Sequence, residues 1–270
     1  MSWVVAIPSY RRAAILQSKT LTFLREGGVS PDRIYVFVAN EQQKTLYEEN
    51  VDRDLYNELV VGELGLVNQR RFITEYFLPG KQILFCDDDV SVMKIRVNPH
   101  KLERVNLLTP IIQSCFTNCI TAGSSIWSVY PVMNSMFMSD TMTVDLKLMM
   151  GGFFGIINMP DPAYQLTLGD ALEDKERTLR YWTRDGIVVR FNQLCVKADI
   201  FTPGGLDCPE RKANTEAATT ALTNEFPDLA KRFYKTRLGI WDIRFKRLPN
   251  VSATAGTLST SSNGNIEANQ

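Results

Sequence analysis

The sequence predicts an α/β fold, a mixed sheet with its ligand site at the carboxyl edge of the strands, and three observations lead there. The first is the apolar run at 83–86, which ends in three adjacent carboxylates, Asp87, Asp88 and Asp89. A short apolar run bounded by polar residues reads as a strand covered on both faces, and open α/β sheets bind ligands beyond the carboxyl ends of such strands. The second is the alternation of short apolar runs with helical segments through residues 1–95, which implies parallel pairing through right-handed crossovers. That half has the layout of a nucleotide-binding half-domain. The third is a change of pattern past His100, so that residues 96–249 form a differently built second half of one domain spanning 1–249.

The elements follow in order. Residues 3–7 are a strand stopped by Pro8, and Ser9, Tyr10, Arg11 and Arg12 make a polar turn into a helix over 13–26. Gly27 and Gly28 end that helix, and 34–38 is a second buried strand followed by Asn40 and Glu41. A third short strand covers 59–61, a helix runs on from Gly65 with Asn68, Gln69, Arg70 and Arg71 in its first turns, and the acid-bearing strand is the fourth. Then come a helix over 107–122, a strand-like stretch over 126–131 and a glycine-rich strand around Gly151, Gly152 and Gly155. Glycine there permits close backbone approach. Glu173, Asp174 and Glu176 open the next helix, 187–191 is a strand, Thr202 to Gly205 a loop, 212–235 a helix interrupted at Pro227, and 240–248 a last strand. Residues 250–270, rich in Ser, Thr, Ala, Asn and Gly, are expected to be a disordered tail.

Composition bounds the function. With 44% hydrophobic residues in 270, the chain can build a sizeable core. Thirty basic and thirty acidic side chains cancel, so any nucleic-acid contact must come from a local basic face and not from a global field. Five scattered cysteines, with Cys115 and Cys119 lacking a second ligand pair for zinc, are expected to be free and mostly buried. The amino terminus lacks a basic region followed by an apolar core, and no stretch approaches about 18 apolar residues, so a soluble cytoplasmic protein is expected. Phosphate-loop, dinucleotide and serine- or cysteine-nucleophile motifs are absent.

The acids carry the chemistry. Three adjacent carboxylates repel one another unless a cation or an arginine intervenes, and hard oxygen ligands suit Mg²⁺ or Mn²⁺ held together with a phosphate. In extended backbone Asp87 and Asp89 face one way and Asp88 the other, which makes Asp87 and Asp89 the expected metal pair. Arg11 and Arg70 are the expected phosphate or base contacts, since arginine matches phosphate with a planar fork; Arg12 and Arg71 rank below them. Glu173 and Asp174 are the candidates for a general base, with capping of the helix dipole as the plain alternative. The Trp127 to Met138 segment is either core or a platform for an acceptor ring, and His100 is expected on a surface loop.

The opening Val-Ala-Ile-Pro-Ser-Tyr-Arg and the box Phe-Cys-Asp-Asp-Asp-Val resemble the first strand-loop and the Asp-x-Asp motif of GT-A glycosyltransferases. Residues 65–70, 127–131, 151–155, 173–177 and 189–192 resemble, more narrowly, the phage and viral glycosyltransferases related to those associated with DNA base hydroxylases, a likeness spanning 3–248. It implies a GT-A fold with a nucleotide-sugar half (1–95) and an acceptor half (96–249). It further implies a UDP-sugar donor, Mn²⁺ or Mg²⁺, and a hydroxymethylated pyrimidine in DNA as acceptor, in the host cytoplasm for a phage protein. The implied donor contacts are Pro8, Ser9, Arg11, Asn40, Gly65, Asn68, Arg70, Asp87, Asp88 and Gly152, and the inverting base of family-2 enzymes corresponds to Asp174. The loop after the second strand departs from the family pattern, reading Ala39-Asn40-Glu41-Gln42 in place of Asp-Asp-Gly-Ser.

Overall fold

A computed structural model describes residues 3–198 and 210–247, leaving the side chains of 210–213 aside. The expected tail at 250–270, the loop at 202–205 and Cys208 lie outside the described residues. The chain order is β1 (Trp3–Pro8), α1 (Ala13–Leu16), a π-helical turn (Gln17–Leu21), α2 (Thr22–Glu26), β2 (Ile34–Val38), α3 (Glu41–Asn50), β3 (Glu58–Val61), α4 (Leu66–Tyr76) and β4 (Gln82–Cys86). It continues through β5 (Val92–Asn98), β6 (Lys101–Arg104), α5 (Leu108–Thr121), β7 (Ile126–Tyr130), β8 (Met142–Thr143), β9 (Phe153–Ile157) and α6 (Glu173–Asp185). It ends with β10 (Val189–Lys197), α7 (Glu210–Glu225), β11 (Ala230–Lys235) and β12 (Ile240–Phe245).

One ten-stranded mixed sheet takes strands from both halves of the chain, in the order β3-β2-β1-β4-β9-β7-β10-β5-β6, with β8 paired to β10. β1, β2, β3 and β4 are mutually parallel, whereas β9 runs antiparallel to β4 with Phe153 opposite Cys86. The reversal matters for the site. It brings the start of β9, and Gly151 and Gly152 before it, to the edge where β1, β2 and β4 end.

Both faces of the sheet are covered, which explains why its central strands are apolar without alternation. Trp3, Val5, Ile7, Leu84 and Cys86 pack under α1, α2 and α5, with Leu16, Leu24, Ile112 and Phe116 buried among them. Val4, Ala6, Ile83, Phe85 and Phe154 face the other way, toward Ile73 of α4 and Tyr181 of α6. A smaller cluster of Leu179, Leu222, Phe226, Ala230 and Ile243 seats α7 and the β11–β12 hairpin on α6.

The helix predicted over 212–235 ends at Glu225, and Ala230–Lys235 is instead a strand paired with Ile240–Phe245. Ala230 is buried, Lys231 and Tyr234 are exposed and Arg232, Phe233 and Lys235 are half-buried, so the strand lacks the continuous apolar run of the central sheet. The β5–β6 hairpin was not foreseen, because its charged residues, Lys94, Arg96, Lys101, Glu103 and Arg104, dilute the apolar signal of a sheet edge.

Candidate functional site

The three aspartates lie beyond the last residue of β4, in a turn and not in extended strand. Alternation therefore does not govern them, and their arginine contacts divide Asp88 and Asp89 from Asp87. Arg12 reaches Asp88 through Nη1 and Asp89 through Nη2, each at 2.8 Å, while Asp87 turns to Arg70, whose Nη2 lies 3.2 Å from Oδ1. Arg12, ranked below Arg11 in the sequence, is thus the residue that neutralises the acids. Arg11 is exposed with its guanidinium 4.9 Å over the Tyr10 ring, and its backbone has a left-handed φ of 57°. Non-glycine residues in that region cluster at functional sites.

A buried network fixes Asp88. The Ser9 hydroxyl donates to Asp88 Oδ2 at 2.6 Å and shares a 2.6 Å bond with the Tyr47 hydroxyl, which also accepts from the Arg12 amide at 3.1 Å. Removal from water pushes the Asp88 carboxyl up to about 7, against the pull of Ser9 and Arg12, and its two acidic neighbours push the same way. Thr20, on the π-helical turn, closes the acid turn: its hydroxyl donates to Asp87 O at 2.8 Å and accepts from Val90 N at 3.0 Å. Sequence reasoning missed Tyr47 and Thr20. Neither has a local signal, since both are recruited across many residues by the fold.

On the other side of Asp87 stand Arg70 and the start of α6. Arg70, 4% exposed, donates to Gly151 O at 2.8 Å and lies 2.5 Å from Glu173 Oε2 through Nη1. Glu173 also pairs with Arg177 one turn along. The Asp87 amide donates to Gly152 O at 2.9 Å, and a Cβ at Gly152 would stand 3.0 Å from Asp87 Oδ2, so the glycine makes room for that carboxylate. Asp174 follows at the second position of α6, half-buried, with its Cβ 3.5 Å from where a side chain at Gly151 would begin. Leu172, just before the helix that bears Asp174, has φ 62°, so a left-handed non-glycine residue stands at Arg11 and again at the entry to α6.

The remaining sequence candidates have these places. Pro8 ends β1 beside Ser9. Gly65 takes φ 95° at the start of α4, and Asp170 accepts from the Val67 amide there at 2.8 Å. Asn40 is exposed and caps α3 by accepting from the Gln43 amide, and Asn68 is exposed and donates to Leu64 O. Arg71 pairs with Glu63 at the surface. Trp127 is fully buried against Phe116, Phe153 and Phe191, in space that only a glycine at 155 leaves open, so it is core and not an acceptor platform. Tyr130 is half-buried beneath Arg190. His100 is exposed in the β5–β6 turn, and Cys86, Cys115, Cys119 and Cys195 are free and buried.

For a divalent cation the residues offer a partial set. Among the described residues no three His, Cys, Asp or Glu side chains converge as a metal cluster. Asp87, whose side chain is 37% exposed, nevertheless keeps Oδ2 free of the Arg70 contact, and Asp89 sits two residues on. One or two carboxylates completed by phosphate oxygens and water are the usual protein share of an Mg²⁺ site. The set fits a cation that arrives with a diphosphate.

No family model matches the sequence, and no curated protein does. Among solved structures, GalNAc-T7 with UDP, GalNAc and Mn²⁺ superposes with a TM-score of 0.51 at 12% identity, covering 84% of this chain and 49% of that one. The fold is the GT-A fold. This chain thus spans about half the length of that relative. Staphylococcus aureus TarS 1–349 with UDP aligns over 84% of this chain and 72% of its own at 14% identity and TM-score 0.49. The mannosyltransferase PcManGT of Pyrobaculum calidifontis, in complex with GDP-Man and Mn²⁺, aligns over 70% and 56% at 13% and 0.43. Among the described residues no helix is long and apolar enough to cross a membrane.

Proposed function

We propose that the chain is a glycosyltransferase that moves a sugar from a nucleotide-sugar donor to a hydroxyl, with inversion at the anomeric carbon. The observation that carries this reading is the convergence of Asp87, Asp89, Arg70 and Asp174 at the carboxyl edge of the parallel strands of a GT-A fold. In this reading residues 1–95 hold the donor, a UDP-sugar, and 96–249 the acceptor. Asp87 and Asp89 would hold Mn²⁺ or Mg²⁺, which neutralises the departing diphosphate. Arg70, fixed by Glu173 and Gly151, sets the Asp87 carboxylate toward the donor. Ser9, Tyr47 and Arg12 keep the acid turn in place. Asp174, at the amino terminus of α6, accepts the proton of the attacking hydroxyl.

The acceptor we assign is a 5-hydroxymethylated pyrimidine in DNA, supported by the sequence resemblance over residues 3–248. Its hydroxymethyl group is reached from the major groove or after extrusion of the nucleotide. A glycan or protein acceptor is the second reading, favoured by the balanced charge, because DNA affinity usually rests on neutralising phosphates with Lys and Arg. Incubation with radiolabelled nucleotide sugars and hydroxymethylated DNA, plain DNA or glycans tests both. Label in hydroxymethylated DNA alone is the expected result, label in glycans moves the assignment to the second reading, and label in none rejects the activity. Asp174→Asn should lower turnover by about 10²–10⁴ with donor affinity unchanged; lost affinity at unchanged turnover would make Asp174 a binding residue.

A further inference from the structure

In the second half of the chain one arginine is held in place without meeting a carboxylate. Arg12, Arg70, Arg96, Arg177 and Arg180 each end on acidic side chains. Arg190, half-buried on β10, donates from Nε to Asn192 Oδ1 at 2.8 Å and lies 5.1 Å over the Tyr130 ring. Among the described residues its two Nη atoms meet no acceptor, and unlike the buried Arg177 Nη1 neither is closed to solvent. The exposed Asp145 acts on Arg190 without forming an ion pair. Asn192 is itself fixed, its Nδ2 donating to Thr143 Oγ1 at 3.2 Å and its amide to Thr141 O at 3.1 Å. A guanidinium held by an amide oxygen and a ring keeps its planar fork for an anion.

Strand register places this group beside the proposed site. Phe85, Phe154, Ser128 and Arg190 lie in one row across β4, β9, β7 and β10, so the Arg190 backbone stands three strand spacings, roughly 14 Å, from the strand that delivers Asp87. Tyr130, which carries the guanidinium, is two residues nearer the carboxyl edge than Ser128. The loop that leaves the sheet at Tyr130 returns to it where Thr143 pairs with Arg190. Its tip presents Met136 and Phe137, 69% and 68% exposed, on a turn braced by Arg96 Nε to Ser135 O at 3.0 Å and by Ser135 Oγ to Pro99 O at 2.8 Å.

We propose that Arg190 binds a backbone phosphate of the acceptor DNA, with Phe137 against a neighbouring base. The assignment rests on the DNA-acceptor reading above and names the residues that would recognise that acceptor. A phosphodiester offers the paired oxygens that the open Nη atoms select, and bases stack on exposed aromatic rings. A neutral glycan would leave Arg190 unused.

Fluorescence anisotropy of a labelled duplex carrying one 5-hydroxymethylcytosine, titrated with the full chain at several salt concentrations between about 50 and 200 mM, tests it. The wild type should bind saturably. Arg190→Gln should weaken binding by about tenfold and lower the slope of log affinity against log salt by about 0.9, the share of one phosphate, whereas Arg190→Lys should keep the slope. Phe137→Ala should weaken binding by about tenfold with the slope unchanged. Circular dichroism reports the fold, and if Arg190→Gln does not fold, the wild-type titration and Phe137→Ala decide. No saturable binding by the wild type, a slope that Arg190→Gln leaves unchanged, or wild-type affinity in Phe137→Ala overturns the proposal. No donor is present in these titrations, so their failure is distinct from a failure of donor binding at Asp87, which tests the transferase reading by itself.

Discussion

Arg11 and Arg12 are adjacent in sequence and opposite in consequence. Arg12, with a 13% exposed side chain, bridges two buried carboxylates, whereas Arg11 is exposed over Tyr10. Breaking a buried ion pair by removing one partner costs about 3–5 kcal/mol, while an exposed position changes stability by roughly 0.5 kcal/mol or less. Arg12→Ala should therefore lower the unfolding free energy in urea by about 3 kcal/mol or more and Arg11→Ala should leave it nearly unchanged; the reverse order would contradict the assignment. The thiols give a second check at this scale. Burial pushes Cys119 up to about 12 and Cys195 up to about 11, so the reactive thiolate is scarce in the native protein at pH 8 and remains so at pH 9. Those two cysteines should resist a maleimide until the protein unfolds, as mass spectrometry of the labelled peptides would show; rapid native labelling of either would contradict their burial.

At the scale of elements, the β11–β12 hairpin is fastened to the helix that carries Asp174. Asp242 on β12 is 3% exposed and pairs with Lys175 of α6 and with Lys235 of β11. Asp242→Asn leaves two ammonium groups facing a neutral amide and should reduce unfolding free energy by about 3 kcal/mol; a stability loss below 0.5 kcal/mol in urea unfolding would show that the hairpin is held by the Leu222–Ile243 cluster alone. This element also shows where sequence reading stops. The strands β1, β2 and β4 were legible because burial on both faces makes their apolar runs continuous. Ala230–Lys235 was not, because half its residues are basic and its partner strand is set by the turn between them. The start of α6 was legible from its acids, and Asp174 does lie at that terminus. The alternation argued for the aspartates does not apply, because Asp87, Asp88 and Asp89 lie past the end of β4. For Trp127 the sequence left core and platform both open, and only the fold decides for core by showing that Gly155 opens the space its indole fills.

For the whole molecule, the order of the sheet explains why distant residues meet. The antiparallel β9 returns its start to the end of β4, and the chain after it delivers α6 to the same edge, so Asp87 and Asp174 converge although 86 positions lie between them. Balanced global charge leaves recognition to such local groups. The central claim is that this edge holds a nucleotide-sugar donor, and the most direct measurement is calorimetric titration of the full chain with UDP, GDP and their sugars, with and without Mn²⁺, repeated on Asp87→Asn. The account predicts one saturable site for at least one of these donors, tighter with Mn²⁺, and weakened about tenfold to a hundredfold by Asp87→Asn. No binding across the panel, or binding that Asp87→Asn leaves unchanged, would contradict it.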